Sequence, residues 1–135
     1  MPLVIDLKPG EKFLIGDAVI TNDNQRTRLH IEGKSAIMRE RDVLKEEDAN
    51  TPAQKIYFLV QCMYLARNPN LYHENYFKLV RELQDAAPTM TILILSINEK
   101  IIEGSFYKAL REARTLIEYE KELVDHAKSK LSSTE

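Results

Sequence analysis

Over the first 45 residues, apolar side chains alternate with other side chains in short runs separated by polar or glycine-containing turns. Alternation with a period of two predicts β-strands that bury one face. The runs cover residues 3–7, 13–15, 19–21, 29–31 and 36–38. The pattern therefore predicts five short antiparallel strands in one curled sheet.

Glycine marks two of the turns between these runs. Gly10 follows the first run in Lys8-Pro9-Gly10, and Gly16 follows the second run in Gly16-Asp17. Tight turns between short strands require backbone freedom that other residues lack. We expect Gly10, Gly16 and Asp17 to serve the turns and not a ligand.

The pattern changes at Thr51. Thr51 can cap a helix, Pro52 suits the first turn, and Gln54 stands three residues after the cap, as a capping box requires. A first helix is predicted from there, and Pro88 should end a second helix. Residues 90–102 are apolar on most faces, so a buried helix is favoured over a strand.

The last segment has the most regular pattern. Its apolar residues follow steps of four and three, interrupted at Glu120: Phe106, Leu110, Ala113, Ile117, Val124, Ala127 and Leu131. This spacing predicts a long amphipathic helix that packs on the other helices or receives a partner. The predicted fold class is α+β. A β-stranded subdomain covers residues 1–45 and a subdomain of three or four helices covers residues 51–131, and the two share one core. Residues 132–135 should form a frayed tail.

Length and composition fit a soluble globular domain. The chain has 135 residues, of which 44% are hydrophobic and 30% charged, and its net charge is −2. Asp6 lies near the start, and no basic region precedes an apolar stretch, so we expect no signal peptide. The weakly charged segment 86–98 is far shorter than the roughly 20 apolar residues that span a bilayer. We expect a cytoplasmic protein without membrane contact.

Residues suited to catalysis or metal binding are not grouped. His30, His73 and His126 fall on three different predicted elements, and the four glycines are isolated. The single cysteine, Cys62, lies in an apolar run where it is expected to act as a small buried hydrophobe. We expect no enzyme activity, no cofactor and no metal.

Two stretches of the N-terminal half resemble the CsrA family of messenger RNA regulators. Residues 10–19, Gly-Glu-Lys-Phe-Leu-Ile-Gly-Asp-Ala-Val, look like that family's Gly-Glu-x-Leu-x-Ile-Gly-Asp-x-Val segment, and residues 36–41, Ala-Ile-Met-Arg-Glu-Arg, are similar to its Ala-Val-x-Arg-Glu-Glu strand end. In that family the arginine of the strand end contacts RNA. The resemblance implies a CsrA-like sheet, RNA contact at Arg39 and a homodimer made by interlaced strands.

A second resemblance covers essentially the whole chain. The segments 1–3, 8–13, 38–40, 51–53, 56–58, 107–110 and 116–120 resemble the FlbT family. This resemblance implies a post-transcriptional regulator that acts on the 5′ untranslated leader of flagellin messenger RNA together with a partner, FlaF. It does not settle whether the outcome is repression or activation.

The candidate RNA contacts are basic residues of the β-stranded half. Residues 26–45 carry six Lys or Arg side chains against three acids, and Lys and Arg neutralise phosphates. We select Lys8, Arg28, Lys34, Arg39 and Arg41, and expect Arg39 and Arg41 to emerge on one face of a strand. The alternative is a protein-interaction module whose C-terminal helices bind FlaF or flagellin and affect messenger RNA indirectly.

Overall fold

The computed structural model describes residues 3–66 and 68–133. The chain divides into two compact units, Met1–Val43 and Leu44–Glu135. Strands form the first unit and helices form the second, which confirms the α+β class. Each unit is described by itself below.

The N-terminal unit contains the five predicted strands, arranged in two antiparallel sheets instead of one. β1 (Leu3–Leu7) pairs with β4 (Thr27–Ile31). β2 (Lys12–Ile15) lies between β3 (Ala18–Thr21) and β5 (Ile37–Arg39). Alternation along a strand shows which face is buried but not which strand is its neighbour, so the division into two sheets could not be predicted from the pattern.

A small apolar core fills this unit. Ile5, Leu7 and Phe13 are buried, and partly buried side chains pack against them: Ile15, Leu29, Ile31 and Ile37. On β1 the buried residues alternate with exposed ones, as a strand with one covered face requires.

The two turn glycines have the predicted backbone conformation. Gly10 has φ of +76° and Gly16 has φ of +57°, the left-handed region that L side chains avoid. Gly16 shares its turn with Asp17, and its N–H donates to the carbonyl of Ala36 at 2.8 Å. The structural assignment of both glycines is confirmed.

The helical unit begins with the predicted cap. α1 (Pro52–Leu65) starts at a complete capping box, in which the Thr51 hydroxyl accepts from Gln54 N–H and the Gln54 side chain accepts from Thr51 N–H. α2 (His73–Ala86) ends two residues before Pro88, and Pro88 opens a short 3-10 turn that leads into α3 (Thr91–Ile102). Residues 91–102 thus form the favoured helix.

The long C-terminal helix is also confirmed as α4 (Phe106–Ser133). Its first half packs against α1 and α3 and buries Ala109, Leu110, Ala113 and Leu116. Every residue from 121 to 131 is exposed. Residues 132 and 133 of the expected tail are helical, and residues 134 and 135 lie outside the described part of the chain.

The described residues include no helix long and apolar enough to cross a membrane. They also hold no group of three or more His, Cys, Asp or Glu side chains that could bind a metal ion. Cys62 on α1 is half-buried, not fully buried as expected. Burial raises the pKa of its thiol, and the Glu46 carboxylate raises it further.

Candidate nucleic-acid interface

Asp6 and Arg28 lie directly opposite each other on β1 and β4. Directly opposed residues of an antiparallel pair project on the same face of the sheet. The Arg28 Nε donates to Asp6 Oδ1 at 3.0 Å, and the two side chains remain 67% and 53% exposed. This pair therefore stands on the surface, opposite the face that carries Ile5 and Leu7.

Two further arginines act on the same carboxylate. The pKa of Asp6 lies below its usual value because Arg28 donates a hydrogen bond to the carboxylate and because the positive charges of Arg28, Arg26 and Arg39 stabilise it. Arg26 precedes β4, whereas Arg39 ends β5 in the other sheet. Asp6 is therefore hydrogen-bonded to Arg28 and lies within the electrostatic influence of Arg26 and of Arg39, which belongs to the other sheet.

The side chains of Arg26, Arg28 and Arg39 around Asp6 are called the arginine cluster below. Three guanidinium groups against one carboxylate give it a net charge of +2. Asp6, Arg26, Thr27 and Arg28 line a surface depression. Arginine forks bind phosphate oxygens in a bidentate geometry and stack on unpaired bases, so this arrangement can receive an anionic, base-bearing ligand.

Arg39 differs from the other two arginines because it is half-buried. It stands opposite Phe13 in the pairing of β5 with β2, so its side chain leaves the sheet on the same face as a core residue. A partly covered stem restricts the guanidinium more than full exposure would. Arg39 is therefore the least exposed member of the cluster.

Of the five residues selected from the sequence, the cluster contains Arg28 and Arg39. The expected common strand face of Arg39 and Arg41 is wrong. β5 ends at Arg39, and Glu40–Asp42 forms a 3-10 turn closed by a hydrogen bond from Val43 N–H to the Glu40 carbonyl at 3.1 Å. The two-residue repeat of a strand stops there, and the Arg41 Nε lies 4.0 Å from Asp42 Oδ1.

The two selected lysines lie in connecting segments. Lys8 follows β1, where its N–H donates to Glu11 Oε1 at 3.4 Å and its carbonyl accepts from Asn22 Nδ2 at 2.9 Å. Lys34 is exposed between β4 and β5. Among residues 3–66 and 68–133, neither lysine side chain pairs with the acid of the arginine cluster.

Arg26 and Asp6 were not selected from the sequence. Arg26 stands two residues before Arg28, and side chains two apart at the start of a strand emerge on the same face. This spacing could have indicated Arg26 from the sequence. Asp6 offered no such signal, since its role depends on the pairing of β1 with β4.

The amino-acid sequence matches a known protein family. The family model described as "Flagellar protein FlbT" matches residues 3–124. "Probable flagellum biosynthesis repressor protein FlbT 1" of Bradyrhizobium diazoefficiens is 47% identical over 124 residues, which cover 91% of this chain and 85% of that protein.

Two other relatives show how far the likeness extends. A "Probable flagellum biosynthesis repressor protein FlbT" of Rhodopseudomonas palustris is 44% identical over 92% of this chain and 98% of its own length. The "Flagellum biosynthesis repressor protein FlbT" of Caulobacter vibrioides is 35% identical over 98% of this chain and 96% of its own length. No solved structure matches the chain.

Proposed function

Since this chain belongs to the FlbT family of flagellar proteins, we propose that it represses flagellum biosynthesis by binding the 5′ untranslated leader of flagellin messenger RNA. The names of its relatives support the regulatory part, because they describe repressors of flagellum biosynthesis. The arginine cluster is the observation that carries the RNA part.

The charge distribution favours RNA binding through a few local side chains over attraction of RNA by the net charge of the whole protein. The chain as a whole carries −2, so it lacks the field that draws nucleic acid to a strongly basic protein. The arginine cluster carries +2, with Arg26 and Arg28 exposed and Arg39 half-buried. Binding would therefore depend on these few side chains, which suits a folded leader with exposed loops.

Asp6 has a positioning role in this proposal. A guanidinium has five N–H donors, and Asp6 Oδ1 engages the Arg28 Nε. The four N–H donors of the two Nη groups are not part of this hydrogen bond. Asp6 thus orients Arg28 while leaving it able to hold a phosphate or the edge of an unpaired base.

The direct test measures binding of the purified protein to a flagellin leader and to a scrambled RNA of equal length at several salt concentrations. Arg28→Ala and Arg39→Ala should each weaken leader binding by about 1 to 3 kcal/mol where the arginine reads a base. Where it holds a phosphate, binding should weaken equally for both RNAs, and the salt dependence should fall by about one unit of slope.

Arg81→Ala is the matched control, because it removes the same charge from an exposed position on α2. Arg41→Ala and Lys34→Ala test the remaining selected residues, and we expect them to have smaller effects than Arg28→Ala. Unchanged leader binding by a folded Arg28→Ala, Arg39→Ala protein would exclude the arginine cluster as the RNA site.

A second candidate function is a protein-interaction module that binds FlaF or flagellin. The observation that favours it is the apolar surface at the end of α4, where Leu123, Val124 and Leu131 are 36%, 47% and 70% exposed. In that case the leader would bind only when FlaF is added. Titrating the leader with the protein in the presence and absence of purified FlaF separates the two functions.

A further inference from the structure

The end of α4, residues 121–131, is exposed along its whole length and spans about 15 Å. Leu123, Val124, Ala127 and Leu131 follow spacings that place them in one stripe of about 100° around the helix. Lys121 and Lys128 are about two helical turns apart and lie along one side of that stripe. This segment, called the α4 end, is an apolar stripe with a basic border.

The outer face of α3 has the opposite character. Ile92, Leu95 and Ile102 are 81%, 56% and 78% exposed, whereas Ile94, Ile97 and Ile101 are buried on the other side of the helix. Glu99 falls within the exposed stripe and Glu103 beside it, and both are exposed. Ile92 to Ile102 also spans about 15 Å. This segment, called the α3 outer face, is an apolar stripe that carries acids.

From these two surfaces we propose that the α4 end of one copy docks on the α3 outer face of a second copy, and reciprocally, to form a two-fold dimer. The lengths match, the apolar stripes cover each other, and the lysines meet the glutamates. A reciprocal arrangement uses both contacts in each copy and leaves neither surface exposed.

Charge selects this pairing over the alternatives. Two α4 ends placed side by side would bring Lys121 and Lys128 against their own counterparts. Two α3 outer faces would bring Glu99 against Glu103 of the other copy. Like charges across an interface disfavour association, so only the α4 end on the α3 outer face is complementary.

The dimer is independent of the proposed RNA function, since no residue of the arginine cluster takes part. It also differs from the dimer of interlaced strands that the CsrA resemblance implies. The helical dimer should weaken when the charges of the α4 end or of the α3 outer face are reversed. A dimer formed by strands should not respond to these substitutions.

Sedimentation velocity over a range of concentrations, with two charge-reversed proteins, tests the pairing. One carries Lys121→Glu and Lys128→Glu, and the other carries Glu99→Lys and Glu103→Lys. Each protein alone opposes like charges in both contacts of its two-fold dimer, so dimerisation should weaken at least ten-fold. An equimolar mixture should recover the dimer, because each α4 end then meets an α3 outer face of opposite charge.

A protein with Lys78→Glu and Arg81→Glu is the matched control, since it undergoes the same charge change at exposed positions on α2. It should dimerise as the unmodified protein does. Ile92→Ser with Ile102→Ser should also abolish the dimer while circular dichroism shows full helix content.

The proposal is overturned if the unmodified protein stays monomeric at every concentration. It is also overturned if either charge-reversed protein dimerises normally, or if the mixture fails to recover the dimer. Leader binding measured on the same proteins should stay unchanged for every variant, which keeps a failure of the dimer distinct from a failure of the RNA function.

Discussion

The carboxylate of Glu120 on α4 accepts a hydrogen bond from the backbone N–H of Ala53 at 3.0 Å. Ala53 is in the first turn of α1, whose N–H groups have no partner within the helix. Glu120 thus caps α1 across 67 residues of sequence. This contact explains why an acid interrupts the apolar stripe of α4.

Replacing Glu120 with alanine should lower the free energy of unfolding by about 1.5 to 3 kcal/mol, the range for a hydrogen bond to a charged group. Chemical denaturation measures the change. Glu118→Ala, which removes an exposed acid two residues earlier on the same helix, is the control and should change stability by less than about 0.5 kcal/mol. Equal losses from both variants would contradict the capping role.

Gln61 on α1 holds the backbone of Leu44 at two points. Its Oε1 accepts from Leu44 N–H at 2.8 Å, and its Nε2 donates to the Leu44 carbonyl at 2.9 Å. The Gln61 side chain is buried, so both bonds are shielded from water. Gln61→Leu keeps the volume but should cost about 2 to 3 kcal/mol, because two backbone groups lose their partner.

Hydrogen exchange provides the measurement for Gln61. The Leu44 amide should exchange faster in Gln61→Leu, whereas Gln84→Leu on α2 should leave it unchanged. Unaltered protection of Leu44 in Gln61→Leu would show that the segment is held by other contacts.

Asp6 should titrate below its ordinary value of 3.8. Its folded-state pKa is lowered, so the stability it contributes is present above the unfolded value and is lost as pH falls through the folded value. NMR titration of the Asp6 carboxyl checks the direction. In Arg28→Ala its pKa should move back toward 3.8, and an unchanged pKa would contradict the assigned cause.

Removing the Asp6 charge also tests its positioning role. Asp6→Asn raises the net charge of the arginine cluster by one, so affinity for any RNA should rise and the salt dependence should steepen. Discrimination between the leader and the scrambled RNA should fall, because Arg28 loses the group that orients it. Glu82→Gln on α2 removes one acid from an exposed position and serves as the control.

Gly16 provides a prediction about backbone conformation. A Cβ built at this position meets nothing within 4 Å, so the cost of a side chain comes from φ of +57° and not from a clash. Gly16→Ala should destabilise the protein by about 1 to 2 kcal/mol, and Gly16→Asn by less, since asparagine tolerates this region better. Thermal unfolding of the two variants checks the order, and equal stability of all three proteins would contradict it.

Features that depend on neighbours in sequence were determined by the sequence alone. The five strands follow from alternation, the start of α1 from Thr51 and Gln54, and the turns from Gly10 and Gly16. In each case the interacting groups are within a few residues of each other, so the pattern contains the whole interaction.

Only the tertiary structure decided which distant residues meet. Asp6 reaches Arg28 across 22 residues and Glu120 reaches Ala53 across 67, and Arg39 joins the arginine cluster from a different sheet. Such pairs depend on strand order and helix packing, which are fixed by burying the apolar faces together and not by any local spacing. The identities of the clustered residues can be read from the sequence, but their proximity is decided by the tertiary structure.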